Sequence, residues 1–325
     1  MKQTTLGHSG LEVSRLCLGC MSFGNKNDPD NWVLDEASSD AIIKHALDLG
    51  INFFDTANVY SGGVSEDFTG RILKKYMKRE DVIIASKVYN NEGRLSKEAI
   101  EREIEGTLKR LGTDYLDLYI IHRFDYEHPM EETMEALHKL VQAGKVRALG
   151  ASAMYGYQFY NLQMIAEREG WTPFTSMQNH YNLLYREDEH ELIPICKQMN
   201  VALTPYSPLA AGRVARPDWE AGTKRSQADT FAGTKYDSTR EADQAISGRV
   251  KELADKHDTK MAAIALAWHF AKGIHSPVIG VTKKEHLDDA AAALNIQLTK
   301  DEVTYLDELY VPHRIMGAIP PPEAE

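Results

Sequence analysis

The chain has 325 residues, of which 43% are hydrophobic and 26% charged, and its formal net charge is −11. Those proportions are ordinary for a folded, water-exposed protein, and the acidic balance excludes a nucleic-acid or anionic-membrane surface, which needs a basic face. No apolar run approaches the ~18 residues needed to cross a bilayer, and the opening MKQTTLGHSGLEVS lacks the apolar segment of a secretory signal, so a cytoplasmic protein is expected.

In chain order, Thr4–Leu6 and Glu12–Val13 flank a Ser9-Gly10 turn and predict a small hairpin. Cys17 and Cys20 have C-x-x-C spacing, but a zinc site needs about four ligands. No second pair or His cluster lies nearby, so these and Cys196 are expected to be buried, reduced thiols, with no metal. Short apolar runs then recur at 15–19, 52–54, 82–86, 116–121, 146–151, 174–178, 201–206 and 277–280. Amphipathic stretches separate them. Residues 36–49 place Ala41, Ile42, Ala46 and Leu49 on one face, Ser96 is placed as an N-cap for a helix to Leu111, and 131–143 stops at Gly144.

Strand–helix alternation means parallel strands joined by crossover helices. Eight such units predict a (β/α)8 TIM barrel as one domain over 1–325, with the hairpin on its floor. A doubly wound sheet is the rival, but neither G-x-G-x-x-G nor G-x-x-x-x-G-K-[ST] occurs. Residues 207–243 read as one long polar loop, 299–310 as a last helix, and 318–325, with Pro320, Pro321 and Pro322, as a flexible tail.

Barrel active sites lie at the C-terminal strand ends. There the second, third and fourth runs end at Asp55, Lys87 and His122, with Tyr60 in the loop after the second. Any one of these could simply cap its strand in solvent. Three adjacent strands, however, bring an acid, an ammonium and an imidazole to one rim beside a phenol.

These residues sit in Asp-Thr-Ala-x-x-Tyr at 55–60, Ser-Lys at 86–87 and Leu-x-x-x-His at 118–122. Gly-x-Ser at 150–152, Gln178-x-x-Tyr181-Asn182 and Tyr206-Ser207-Pro208-Leu209 follow. With them the sequence resembles the aldo-keto reductases from near its start to about residue 310, most closely bacterial members with Cys-Met after the first strand and His-Arg after the fourth. The resemblance implies the same barrel, a catalytic tetrad of Asp55, Tyr60, Lys87 and His122, and NADPH bound extended. It implies that Gly19, Cys20 and Met21 border the cofactor. Ser152 and Gln178 then bond the nicotinamide amide, and Tyr206 stacks on the nicotinamide ring. Ser207, Leu209, Gly212 and Arg213 line the pyrophosphate. Gly280, Thr282 and Lys283 meet the 2′-phosphate, and His286 and Asp289 face adenine. Two positions depart from the family pattern: Ala153 and Ala290 stand where Asn is common.

The tetrad has its own physical logic. A phenol of pKa about 10 is a poor acid at neutral pH, and bringing it to about 7 takes roughly 4 kcal/mol. One ammonium about 4 Å away, at an effective dielectric of about 20, supplies that much. Lys87 is the expected charge, Asp55 its counter-ion, and a neutral His122 the group that orients a carbonyl. Met21, Trp32, Tyr89, Arg123 and Phe124 are expected on loops around the site and point to an apolar or aromatic aldehyde or ketone, with an anionic group meeting Arg123; the alternative for each is ordinary packing. A second reading is a regulatory β-subunit like those of potassium channels, binding NADPH with little turnover. Loss of the histidine after the fourth strand would favour it. Oligomerisation stays open.

Overall fold

The computed structural model describes residues 1–25, 33–219, 236 and 239–322. Among them, eight parallel strands form one curled sheet. They are β3 (Cys17–Gly19), β4 (Phe53–Asp55), β5 (Ile83–Val88), β6 (Leu116–Ile121), β7 (Val146–Ser152), β8 (Phe174–Gln178), β9 (Ala202–Leu203) and β10 (Val278–Gly280). They pair in chain order, and β10 returns to lie beside β3. The seam between β9 and β10 is bridged by the Val278 N–H, which donates to the Pro205 carbonyl at 2.9 Å. This is the expected (β/α)8 TIM barrel, with helices between the strands.

All eight apolar runs became strands because strands buried on both faces read as continuous hydrophobic stretches. The seventh is shorter than expected. Pro205 has no N–H to donate, so on the β8 side the chain beyond Leu203 keeps only single main-chain bonds, from the Thr204 N–H to Met177 and the Tyr206 N–H to Asn179, each 2.9 Å.

The strand period of two sorts the side chains. Phe53, Ile83, Ala85, Leu118, Ile120, Ala148 and Ala202 fill the barrel interior. Phe54, Ile84, Tyr119, Ile121 and Leu149 point outward into the helical layer. The floor is closed by the hairpin of β1 (Gln3–Thr5) and β2 (Glu12–Ser14), whose Leu6 and Val13 join the interior cluster. Gly7 adopts φ +58 there. A Cβ on it would lie 2.3 Å from the Thr175 carbonyl oxygen, so only glycine lets the turn seat against β8.

Three helices of the first half, Glu36–Asp48, Lys97–Leu111 and Met130–Gln142, match their sequence signals. α1 (Glu36–Asp48) is capped by Asp35. α2 (Val64–Tyr76) buries Phe68, Ile72 and Leu73, and α3 (Lys97–Leu111) starts at Ser96, whose side chain accepts from Ala99. α4 (Met130–Gln142) is followed by Gly144 at φ +72, and α5 (Gly156–Glu169) precedes β8. In the second half come α6 (Leu192–Gln198), α7 (Arg240–Lys256), α8 (Met261–Ala271), α9 (Lys284–Ala292) and α10 (Lys300–Asp307), the last with a Thr299/Glu302 capping box. α7 begins inside the stretch expected to be loop. The rest of that expectation falls largely on residues 220–235 and 237–238, outside the described residues. Of the expected tail, residues 323–325 also lie outside them, while the Ile319 carbonyl accepts a bond from the Tyr126 hydroxyl at 2.8 Å. No described helix is long and apolar enough to cross a membrane.

Candidate active site

The same period of two that fills the interior brings the chemistry inward. Asp55 follows Phe53 on β4, Lys87 follows Ile83 and Ala85 on β5, and His122 follows Leu118 and Ile120 just past β6. Each is the next inward position above the last apolar layer. Gly150 on β7 belongs to that layer. A Cβ there would come within 2.7 Å of the Ser176 hydroxyl and 3.0 Å of Ile120, so the glycine of Gly-x-Ser is a packing requirement just below the site.

Lys87 is fully buried, yet each ammonium hydrogen has a partner. Nζ lies 2.5 Å from Asp55 Oδ1, 2.8 Å from the Thr56 carbonyl oxygen and 3.2 Å from the Tyr60 hydroxyl. Three donors meeting three acceptors is the condition under which a buried ammonium is tolerated. The other Asp55 oxygen accepts from Gln178 Nε2 across the barrel at 2.9 Å. Ser152 donates to the Gln178 main-chain carbonyl at 2.7 Å. One chain of bonds thus links β7, β8, β4, β5 and the Tyr60–Gly63 turn.

Burial works against the Lys87 charge, but Asp55 and Tyr60 outweigh it and hold the ammonium above its ordinary range. Tyr60 departs from the sequence argument. Burial pushes the phenol up, Lys87 pulls it down, and Asp55 pushes it up again, so the net shift is upward. The ammonium reaches the phenol already partnered by a carboxylate, and the expected descent towards neutrality does not occur in this state.

His122 is buried and is held well below its ordinary value of 6.5, first by burial and then by the charges of Lys87 and Arg123. Asn90 Nδ2 lies 3.3 Å from His122 Nδ1. With the amide donating, the proton of the neutral ring sits on Nε2. The ring stands edge-on to Tyr60, with centroids 5.9 Å apart. We expect the His122 imidazole resonances to stay flat through the range near 6.5 where an ordinary histidine titrates. A midpoint there in an NMR titration would show that the ring charges and cannot serve as a neutral donor.

The remaining candidates fall into separate groups. Gly19 pairs with Asp55 and with Gly280, so all three lie on the same rim. The Cys20 N–H donates to the Asp55 carbonyl at 2.8 Å, but its thiol is buried in the core and raised to about 12 by that burial. Cys20 therefore offers the site its backbone and not its sulfur. Cys17 and Cys196 are likewise free and buried. Met21 is 46% exposed. Tyr206 is half-buried and stacks on His180. Ser207 (φ +54) and Gly212 (φ +89) bend the turn that carries Leu209 and Arg213. The Arg213 guanidinium lies over the Trp219 and Tyr236 rings at 5.4 and 5.1 Å.

At the far end of the rim, Lys283 is the N-cap of α9 and makes no side-chain capping bond. Thr282 and Asp289 are half-buried there, and Lys283 and His286 are exposed. Ala290 is buried, and Ala153 holds φ +47. Of the substrate-facing candidates, Tyr89 and Phe124 are buried, Arg123 donates to the His122 carbonyl at 2.7 Å, and Trp32 lies outside the described residues. Among the described residues no cluster is suited to hold a metal. The sequence reading missed Thr56, Asn90 and His180. Thr56 was visible inside Asp-Thr-Ala; the other two carry no local signal.

Residues 15–311 match the aldo/keto reductase family. The chain belongs to that family. It is 43% identical to a putative aryl-alcohol dehydrogenase of Schizosaccharomyces pombe, over 97% of each chain. It is 41% identical to versiconal hemiacetal acetate reductase of Aspergillus parasiticus, over 97% of this chain and 98% of that one. An aldo-keto reductase of Metarhizium robertsii is 42% identical, over 96% and 92%. These relatives are fungal and give no support to the expected bacterial subgroup. As a member of the aldo/keto reductases, the protein is an oxidoreductase acting on carbonyl or alcohol groups.

Proposed function

We propose that the protein reduces an aldehyde or ketone to an alcohol with NADPH, reversibly, using Asp55, Tyr60, Lys87 and His122. The observation that carries this reading is the buried Lys87 ammonium bonded at once to Asp55 and to the Tyr60 hydroxyl. Bound NADPH supplies the hydride. His122, neutral with its proton on Nε2, donates to the substrate oxygen and orients it. Tyr60 gives that oxygen its proton, and the phenolate left behind is stabilised by the Lys87 N–H. Asp55, gripped by Gln178, fixes Lys87.

The residues present suit the cofactor. α9 opens on main-chain amides that no side chain caps, beside the exposed Lys283 and Lys284, an arrangement that favours a phosphate. Thr282, His286 and Asp289 complete that end, and Ser207, Leu209, Gly212 and Arg213 the pyrophosphate path. At the other end, Tyr206 offers a ring for nicotinamide, with Ser152 and Gln178 reading its amide. Tyr89, Phe124 and Met21 favour an aromatic or apolar carbonyl compound, with Arg123 for an anionic group. The names of the aryl-alcohol and hemiacetal relatives support this. The three reduced thiols fit a cytoplasmic setting.

A turnover assay with NADPH and a panel of benzaldehydes tests the proposal; tight binding without turnover would favour the regulatory β-subunit reading instead. For cofactor choice, Lys283→Ala should weaken NADPH binding about tenfold or more and leave NADH nearly unaffected, since a charge–phosphate contact is worth ~1–3 kcal/mol. The preference should shrink at high salt, because Lys283 is exposed. Fluorescence titration of both cofactors measures it, and equal losses for the two would remove Lys283 from the 2′-phosphate.

A further inference from the structure

Tyr206 is held by segments far apart in the chain. His180 lies between Tyr185 and Tyr206, with ring centroids 4.2 and 5.1 Å away and planes within 16° and 9°. Its Nε2 is 2.9 Å from the Tyr236 hydroxyl. Asn182 Nδ2 donates to that hydroxyl and to the Ser207 carbonyl, each at 3.0 Å. After α10 the chain returns over this stack. The Met316 N–H donates to the Tyr185 hydroxyl at 2.9 Å, and that hydroxyl also lies 3.3 Å from the Met316 carbonyl oxygen. Gly317 follows at φ +93, and a Cβ on it would sit 2.5 Å from the Tyr206 hydroxyl oxygen.

We propose that Gly317 and His180 are positioning residues that clamp Tyr206, one by stacking on its ring and the other by admitting bare backbone against its hydroxyl. The return segment at 316–319 and the nicotinamide platform then form one mechanical unit. This rests on the reading of Tyr206 as that platform. Two separate demands fall on residue 317: a positive φ, which L side chains rarely adopt, and room for the Tyr206 hydroxyl. Only the second involves Tyr206, so the two can be separated.

The test is NADPH titration by fluorescence quenching on the full-length protein. Gly317→Ala should raise the dissociation constant about tenfold in the wild-type background and less than about threefold in a Tyr206→Phe background, where the obstructing hydroxyl is gone. No loss in the wild-type background, or an equal loss in both, overturns the clamp, because a purely backbone role is blind to that hydroxyl. His180→Ala should weaken binding and His180→Phe, which keeps a stacked ring, should restore it; equal losses count against the stack. If Gly317→Ala fails to fold, Tyr185→Phe releases the Met316 N–H without touching Gly317, and an unchanged dissociation constant there overturns the proposal. Tyr206→Ala is read separately. If it binds NADPH like wild type, the platform reading itself falls, whatever Gly317 does.

Discussion

Tyr60→Phe should lower carbonyl reduction by about 10²–10⁴-fold, the range a positioned general acid contributes, while NADPH binds as before. The change removes one oxygen and keeps the ring edge against His122. The pH profile carries a second signature. Tyr60 is held above its ordinary value of 10.0, chiefly by burial, so it stays protonated through neutrality. Reduction needs the phenol and should fall only as pH rises through that elevated value. Oxidation of the alcohol needs the phenolate and should rise over the same span. Both limbs should vanish in Tyr60→Phe, and retained turnover with an unchanged profile would place the proton donor elsewhere.

Lys87→Met should abolish activity and also destabilise the fold, by about 3–5 kcal/mol, because Asp55 is left buried beside an apolar side chain. Asp55 keeps one donor, from Gln178, which is too little for a buried carboxylate. The double variant Asp55→Asn, Lys87→Met removes both charges. It should recover most of the stability in urea unfolding and none of the turnover. That split separates the two tasks of the pair: each charge makes the other tolerable in the barrel, and only the ammonium serves the phenol. A single variant as stable as wild type would mean that Asp55 is neutralised by something other than Lys87.

The strands and three of the four candidate site residues were legible for one reason, while Tyr60 lies in a turn outside the strands. A barrel strand alternates strictly, so Phe53/Asp55, Ile83/Ala85/Lys87 and Leu118/Ile120/His122 announce both the interior and its polar rim within a few residues. The direction of the Tyr60 shift was not legible, because it depends on how close a second charge comes to the first. No spacing in the chain states that Asp55 lies 2.5 Å from the ammonium. The stack at His180 was equally hidden. Its neighbours Tyr206, Tyr236 and Met316 lie in segments that meet only in three dimensions. The start of α7 at Arg240 was lost because the polar residues around it carry no clear apolar period.

The floor hairpin has a consequence for how the molecule is made. Leu6 and Val13 are synthesised before every strand whose interior they plug, and Gly7 seats on carbonyls of Thr175 and Asn200. During synthesis the hairpin therefore waits, its two apolar side chains uncovered, until β8 and the residues before β9 have emerged. Contacts of such sequence separation form late, since loop-closure entropy must be met before they reward it. Stalled chains ending short of residue 170 should show the first fifteen residues open to protease, and chains extending beyond β9 should show them shielded. The stopper of the barrel is translated before the strands it closes and is among the last parts to be seated.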